Sequence, residues 1–142
     1  MNTACTTTAG TTVGATQSQA AATCSGFAGT AEDDVWYSFK ANNTNQSIVV
    51  DGSATIDAVV QAFSGSCSSL VSLGCIDATT ADGIETLPLT GLTIGSTYYV
   101  RVYGYGSATG TRGAFTICVT GTCATPTAQT LSVTAGTATY CT

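Results

Sequence analysis

The chain has 142 residues, which fits one ordinary domain with its own core. Only 8% of the residues are charged and the net charge is −5. The three basic residues, Lys40, Arg101 and Arg112, are too few and too scattered to replace phosphate counterions, so we exclude nucleic acid as a partner. No apolar run approaches the roughly 18 residues of a membrane-spanning helix, so we expect no membrane insertion.

Short apolar runs rich in β-branched and aromatic residues, bounded by Gly, Asn, Asp or Ser, predict strands rather than helices. In chain order, the predicted strands cover residues 11–16, 35–41, 47–50, 57–63, 70–75, 85–89, 97–105, 114–119, 131–133 and 137–141. Residues 17–22 are compatible with either a helical turn or a loop. Many short strands at close spacing predict an all-β fold, a jelly-roll or immunoglobulin-like β-sandwich of about eight or nine strands.

Aromatic residues give the clearest binding signal in the sequence. Because side chains alternate along a strand, one face of the longest predicted strand carries Tyr99, Arg101, Tyr103 and Tyr105. Such a stripe fits the stacking of sugar rings or the docking of a protein partner. The alternative is that a loop covers this face. Trp36, the only tryptophan, is expected to anchor the core rather than to form a ligand platform.

The chain contains seven cysteines and no histidine, which indicates an oxidising compartment and disulfides. Zinc is disfavoured because paired Cys-x-x-Cys knuckles are absent. Cys67 and Cys75 flank a hairpin-like segment and form the first expected pair, and Cys5 with Cys24 follows from chain proximity. Cys118 and Cys123 either pair with each other or each join a neighbouring module. The seventh cysteine is Cys141.

Five segments of the sequence, taken together, resemble a known family. They are residues 33–39, 63–67, 73–75, 91–103 and 115–119. In order and spacing they are similar to the pre-peptidase C-terminal β-sandwich modules of large secreted and surface proteins of bacteria, over roughly residues 11–120. The resemblance implies a jelly-roll-like sandwich, an extracellular location and a non-catalytic accessory role.

The end of the chain resembles its beginning. Residues 137–142 match residues 1–6 with Cys141 in the place of Cys5, and residues 123–127 look like the opening of another module. We therefore predict a β-sandwich module at 1–122, followed by a linker or donor strand at 123–142 that completes the next module or subunit. Its assembly residues would be Thr127, Leu131, Val133 and Tyr140. Alternatively, the tail begins a different neighbouring domain.

Catalysis is not expected from this sequence. Without histidine, Ser-His-Asp and Cys-His arrangements are excluded. Carboxylates are available, and the hard cation Ca²⁺ takes six to eight oxygen ligands. The candidate calcium ligands are Asp33, Asp34, Asp57 and Asp77, although no calcium-loop pattern is present. The alternative for residues 32–34 is a solvated turn whose side chains cap backbone N–H groups.

These observations predict a structural module of an extracellular fibre or repetitive surface adhesin. Copies of the module would join head to tail by strand complementation, without a cofactor other than calcium. The alternative is a carbohydrate- or surface-binding accessory domain of a secreted protein that uses the face of Tyr99, Arg101 and Tyr103. Neither interpretation is an enzyme.

Overall fold

The computed structural model describes residues 5–107 and 111–121 and, for the backbone alone, residues 132–133. Within these ranges no helix is long and apolar enough to cross a membrane. The strands are β1 Thr8–Thr11, β2 Thr23–Cys24, β3 Phe27–Ala28, β4 Val35–Lys40, β5 Gln46–Gly52, β6 Ala58–Ser66, β7 Ser69–Ile76, β8 Ile84–Leu89, β9 Thr97–Gly104, β10 Ala114–Gly121 and β11 Ser132–Val133.

Two antiparallel sheets make up the sandwich. The four-stranded sheet has the order β1-β10-β5-β8, and the five-stranded sheet has the order β11-β4-β9-β6-β7. β2 and β3 form a separate small hairpin. This architecture confirms the predicted all-β sandwich.

The main core lies between the two sheets. Alternate residues point inward, so that Ile48 and Val50 of β5 are fully buried while the residue between them is only partly buried. From the five-stranded sheet, Val100 and Val102 of β9 pack into the same cluster. Burial of this apolar face is the main force that holds the two sheets together.

The outer face of the five-stranded sheet is also covered. A second, smaller cluster of buried residues lies there, formed by Cys24, Ala31, Val59 and Tyr103. The chain between β1 and β4 supplies its cover. The five-stranded sheet is therefore buried on both faces over part of its area.

The loops at the two ends of the sandwich differ in charge. At one end, hydrogen bonds link the loops 29–34, 53–57, 77–83 and 105–113, for example from Tyr105 N to Asp57 O at 2.8 Å. We call this the acidic end. Six of the eight acidic residues, all within the described part of the chain, lie in these four loops: Glu32, Asp33, Asp34, Asp57, Asp77 and Asp82. The loops 41–45 and 90–96 meet at the opposite end.

Seven of the predicted strands overlap closely with β4 to β10. The first differs: residues 11–16 were expected, but β1 spans Thr8–Thr11 and the chain turns at Gly14, where φ is +82°. Residues 17–22 form a loop, and the β2–β3 hairpin was not predicted. β11 overlaps the predicted strand 131–133, and the predicted strand 137–141 lies outside the described residues. The division into 1–122 and 123–142 stays a prediction.

The disulfides differ from the expected pairs. Cys5 is bonded to Cys118 and Cys24 to Cys75. The expected pairs Cys67–Cys75 and Cys5–Cys24 were therefore wrong, and so were both alternatives for Cys118, a bond to Cys123 or to a neighbouring module. The prediction paired cysteines that are close in sequence. Both observed bonds instead join residues that are distant in sequence, by 113 and 51 positions, and adjacent only in the fold. Among the described cysteines, Cys67 is the one without a disulfide. Cys123 and Cys141 lie outside the described residues.

Candidate functional site

The predicted aromatic stripe on β9 is largely covered. Arg101 and Tyr103 are both fully buried beneath the segment 17–24, and Tyr99 is partly buried. Only Tyr105, just beyond β9, is exposed. The interpretation of an open Tyr/Arg face is therefore corrected: a loop covers this face, and Arg101 and Tyr103 are not accessible to a ligand at the surface.

Arg101 holds the covering segment in place. Its Nη2 lies 2.7 Å from Oδ2 of Asp34, and its Nε donates to the same oxygen at 2.8 Å. The guanidinium also donates to the backbone carbonyls of Gln19 and, at 2.9 Å, of Ala20. Its Cζ lies 4.6 Å from the centre of the Tyr103 ring. Arg101 thus acts as a buried structural anchor.

Asp34 completes this anchor from the other side. Its carboxylate accepts hydrogen bonds from the backbone N and the hydroxyl of Ser18, the latter at 2.7 Å. Trp36 in turn donates from Nε1 to the Ser18 hydroxyl at 2.9 Å. Trp36 is 3% exposed, in agreement with its expected packing role, but it packs on the outer face under the loop rather than between the sheets.

The β2–β3 hairpin is clamped over the edge of the five-stranded sheet near the acidic end. The disulfide between Cys24 and Cys75 joins β2 to β7. Beside it, the backbone N of Ala22 donates to the Tyr103 hydroxyl at 3.2 Å, and the backbone N of Asp77 donates to the Ser25 hydroxyl at 3.2 Å. The hairpin therefore has a fixed position close to Asp77.

An exposed aromatic pair projects beside this hairpin. The rings of Phe27 and Tyr105 meet edge to face, with centroids 6.3 Å apart and planes at 88°. Phe27 is 54% exposed, although it belongs to a strand, and Tyr105 is 36% exposed. The backbone N of Tyr105 donates to the carbonyl of Asp57. This pair is thus an accessible apolar surface, and Tyr105 lies beside the backbone of Asp57.

Three carboxylates, those of Asp57, Asp77 and Glu85, lie near one another at the acidic end. Glu85 of β8 is 1% exposed, and its Oε1 accepts hydrogen bonds from the backbone N of Ala78 and from the backbone N and hydroxyl of Thr79. Its Oε2 and the Oδ1 of Asp57 are buried without a hydrogen-bond partner. Asp77 is 4% exposed.

The pKa values of two of these carboxyl groups are raised, mainly by burial and further by mutual repulsion. Burial raises the pKa of Asp77 to about 6, with further contributions from the charges of Asp57 and Glu85. Burial also raises the pKa of Asp57, and the charge of Glu85 adds to it. Perturbed carboxyl groups beside an exposed aromatic surface are typical of binding or catalytic sites.

No basic residue of the chain neutralises this cluster. Of the three in the whole sequence, Arg101 pairs with Asp34, and Nε of Arg112 lies 3.9 Å from Oδ2 of Asp33. Lys40 is opposite Thr97, at the other end of the sandwich. The acidic end therefore carries uncompensated negative charge.

The four predicted calcium ligands do not come together. Asp34 is held by Arg101, and Oδ1 of Asp33 accepts from the backbone N of Gly104. Asp57 and Asp77 do lie near each other, but with Glu85 as the third carboxylate. Within the described ranges, no group of three or more His, Cys, Asp or Glu side chains is arranged to hold a metal ion.

Sequence reasoning missed two members of this site, Phe27 and Glu85. Phe27 stands between Gly26 and Ala28 without a periodic apolar pattern around it, so nothing marked it as an exposed aromatic residue. Glu85 is one of eight acidic residues in the sequence. It is the second residue of β8, and its inward orientation follows only from the fold. The predicted assembly residues Thr127, Leu131 and Tyr140 lie outside the described residues; Val133 is described only for its backbone.

Comparison with known proteins gave one finding. A family model described as galactose-binding-domain-like and associated with T9SS, the type IX secretion system, matches residues 1–117. The search of curated proteins and the search of solved structures gave no match.

Proposed function

The chain belongs to the T9SS-associated galactose-binding-domain-like family, and we propose that it acts there as a non-catalytic, carbohydrate-binding module of a secreted protein. The ligand would bind at the acidic end, on the surface formed by Phe27, Tyr105 and Asp57. The observation that carries this proposal is the exposed edge-to-face pair of Phe27 and Tyr105, with the partly exposed Asp57 hydrogen-bonded through its backbone carbonyl to Tyr105.

Sugars present two kinds of surface, and this site offers a partner for each. The apolar face of a sugar ring packs on an aromatic ring, and its hydroxyl groups donate hydrogen bonds to carboxylates, which accept at up to four lone-pair positions. The proposed site lies at loops held on a rigid sandwich, where binding residues are commonly found. The sequence predicted a ligand face at Arg101 and Tyr103. The proposed site lies instead at the accessible end of the same sheet.

The secreted location is supported by two observations. The family is associated with a secretion system, and the described residues contain two disulfides, which persist in oxidising compartments outside the cytosol. The absence of histidine from the sequence favours a binding role over acid–base or nucleophilic catalysis. Within this family, the resemblance to pre-peptidase C-terminal modules stays a prediction.

The proposal is tested by affinity electrophoresis and calorimetry of the full chain against galactans and other polysaccharides. We expect Phe27→Ala and Tyr105→Ala each to weaken binding by about tenfold or more, because a central aromatic anchor contributes about 2 kcal/mol. The matched control is Ile94→Ala, since Ile94 is 63% exposed at the opposite end. Unchanged binding by both aromatic variants would place the site elsewhere, and no retention by any polysaccharide would refute the function.

A second candidate function, assembly by strand complementation, is favoured by the position of β11. Ser132 pairs with Ser38 and Val133 with Tyr37, so residues from the tail lie antiparallel on the edge strand β4. Within the described residues, this pairing covers two of the six residues of β4, and residues 122–142 contain no charged side chain. An edge that accepts a short strand from its own chain can accept the same strand from a neighbour, which would build head-to-tail assemblies.

Mixing two singly substituted chains separates pairing within one chain from pairing between chains. Ser38→Cys chains are mixed with Ser132→Cys chains under oxidising conditions. Pairing between copies gives a covalent heterodimer well above the level found with either variant alone, and electron microscopy of the wild type shows filaments that a chain ending at Gly121 does not form. A heterodimer at background level, with no filaments, would exclude assembly through β4.

A further inference from the structure

The negative charge at the acidic end points to the chemical class of the ligand. We propose that the site beside Phe27 and Tyr105 selects a carbohydrate that carries a protonated amine, an amino sugar, over neutral and acidic sugars. This inference rests on the proposed carbohydrate-binding function and specifies its substrate class.

The first support is the charge balance of the whole chain. The chain has only three basic side chains: two lie beside Asp33 and Asp34, and the third is at the far end. No basic side chain is therefore left for Asp57, Asp77 and Glu85. Buried carboxylates without a counter-charge are costly, because desolvation is not offset by an opposite charge. A cationic ligand offsets that cost when it binds.

The second support is unused hydrogen-bonding capacity. Oε2 of Glu85, a residue that is 1% exposed, and Oδ1 of Asp57 are both buried acceptors with no donor. Native proteins satisfy nearly all buried polar atoms, so such acceptors need an explanation. Asp57 is the partly exposed member of this cluster, whereas Asp77 and Glu85 are buried, and its backbone carbonyl accepts from Tyr105. A cationic ligand that donates to the partly exposed carboxylate of Asp57 would place a positive charge beside the cluster and lower the repulsion between Asp57 and Glu85.

An ammonium group fits this arrangement better than a metal ion. A calcium ion needs six to eight oxygens that converge on one point at about 2.3–2.6 Å. Among the described residues, no three His, Cys, Asp or Glu side chains are placed so that they could hold a metal ion together. An ammonium group carries three diverging donors and does not require convergent ligands. It is also attracted to the faces of aromatic rings, which Phe27 and Tyr105 supply within the same surface. A carboxylated or sulfated sugar would be repelled.

The test compares two probes that differ only at the amine. Glucosamine oligomers and N-acetylglucosamine oligomers of equal length are titrated into the full chain by calorimetry at pH 6 and low salt. We expect the glucosamine oligomer to bind at least tenfold more tightly, and 0.5 M NaCl to remove most of that difference, because the interaction is ionic.

The variants identify the carboxylates. Asp57→Asn should reduce the preference for the amine by about tenfold, the effect of losing one charge-assisted hydrogen bond, and Asp77→Asn should reduce it less. Asp51→Asn is the matched control: Asp51 pairs with Ile84, next to Glu85, but its side chain is exposed on the outer face of the four-stranded sheet, whereas Glu85 is buried on the inner face. Both asparagine variants at the site remove unfavourable charge and should fold.

The outcomes separate the two proposals. Equal affinity for both oligomers, with loss on Phe27→Ala, would refute the amine preference and leave carbohydrate binding standing. If neither oligomer binds but a neutral galactan does, the amine preference is likewise refuted and carbohydrate binding stands. Failure to bind any of the probes would refute both. An increase in melting temperature with CaCl₂ that Asp57→Asn abolishes, without competition by glucosamine, would replace the amine with a metal ion.

Discussion

Arg101 and Asp34 form an ion pair in which neither side chain is exposed to solvent, with 2.7 Å between Nη2 and Oδ2. The pair ties β9 to the loop between β1 and β4, because both partners also bond residues 18–20 of that loop. Arg101, one of the chain's three basic residues, therefore fixes a covering segment rather than contacting a ligand.

Asp34→Asn should strongly destabilise the protein. It leaves the Arg101 guanidinium buried without its counter-charge, and breaking a buried pair in this way typically costs about 3–5 kcal/mol. Urea unfolding followed by fluorescence of Trp36 measures the loss, and this ring lies directly under the affected loop. Glu32→Gln, an exposed substitution two residues away, should stay within about 0.5 kcal/mol of the wild type. A loss at Asp34 no larger than at Glu32 would contradict the anchoring role.

Removing the disulfide with Cys24→Ala and Cys75→Ala together should reduce both stability and binding. The bond closes a sequence separation of 51 residues, and a loop of that size contributes about 2–4 kcal/mol. Carbohydrate affinity should fall as well, because the clamped hairpin carries Phe27. Cys67→Ser is the control, since Cys67 has no disulfide in the described part of the chain. Unchanged affinity in the double variant would show that the clamp does not position the binding surface.

Stability should fall as the pH rises from about 4 to about 7. The folded pKa of Asp77 is raised from 3.8 to about 6, so between these values the folded protein retains a proton that the unfolded chain has lost. The stabilisation is fully present below pH 3.8 and disappears as the pH rises through about 6. The raised pKa of Asp57 acts in the same direction.

This contribution is isolated by comparing the urea unfolding midpoints of Asp77→Asn and the wild type at pH 4 and at pH 7.5. The variant should be the more stable protein at pH 7.5, and this advantage should shrink at pH 4, where the wild-type carboxyl group is protonated. A difference between the two proteins that does not change with pH would show that Asp77 titrates normally.

Gly10→Ala should destabilise the first strand. A Cβ at this position would overlap the Tyr37 hydroxyl and lie 2.6 Å from Cζ of Phe115, and both rings are buried. Overpacking of this kind costs about 1–3 kcal/mol. Ala9→Val adds carbon atoms on the exposed side of the same strand and should be nearly neutral. Equal stability of both variants in thermal unfolding would contradict this close packing of β1.

The fold class could be predicted from local sequence because strand formation depends on local patterns. Alternation such as that of Val35, Tyr37 and Phe39 requires one buried face whichever strand lies opposite, and Gly, Asn and Asp mark the turns. The short β2–β3 hairpin carries too few residues to show any period. It is held against the sheet by the bond of Cys24 to Cys75, a partner that chain proximity did not reveal.

The candidate site was decided by tertiary structure. The sequence determined that Arg101 and Tyr103 share a face with Tyr105, since the period of a strand is two. It did not determine which of them a loop would cover, because burial depends on where a distant segment returns. Likewise, composition fixed the number of acidic residues and the scarcity of basic ones, but only the packing of β8 against the loops of the acidic end placed Glu85 near Asp57 and Asp77. Charge balance is a property of the whole chain, whereas the location of the uncompensated charge is a property of the fold.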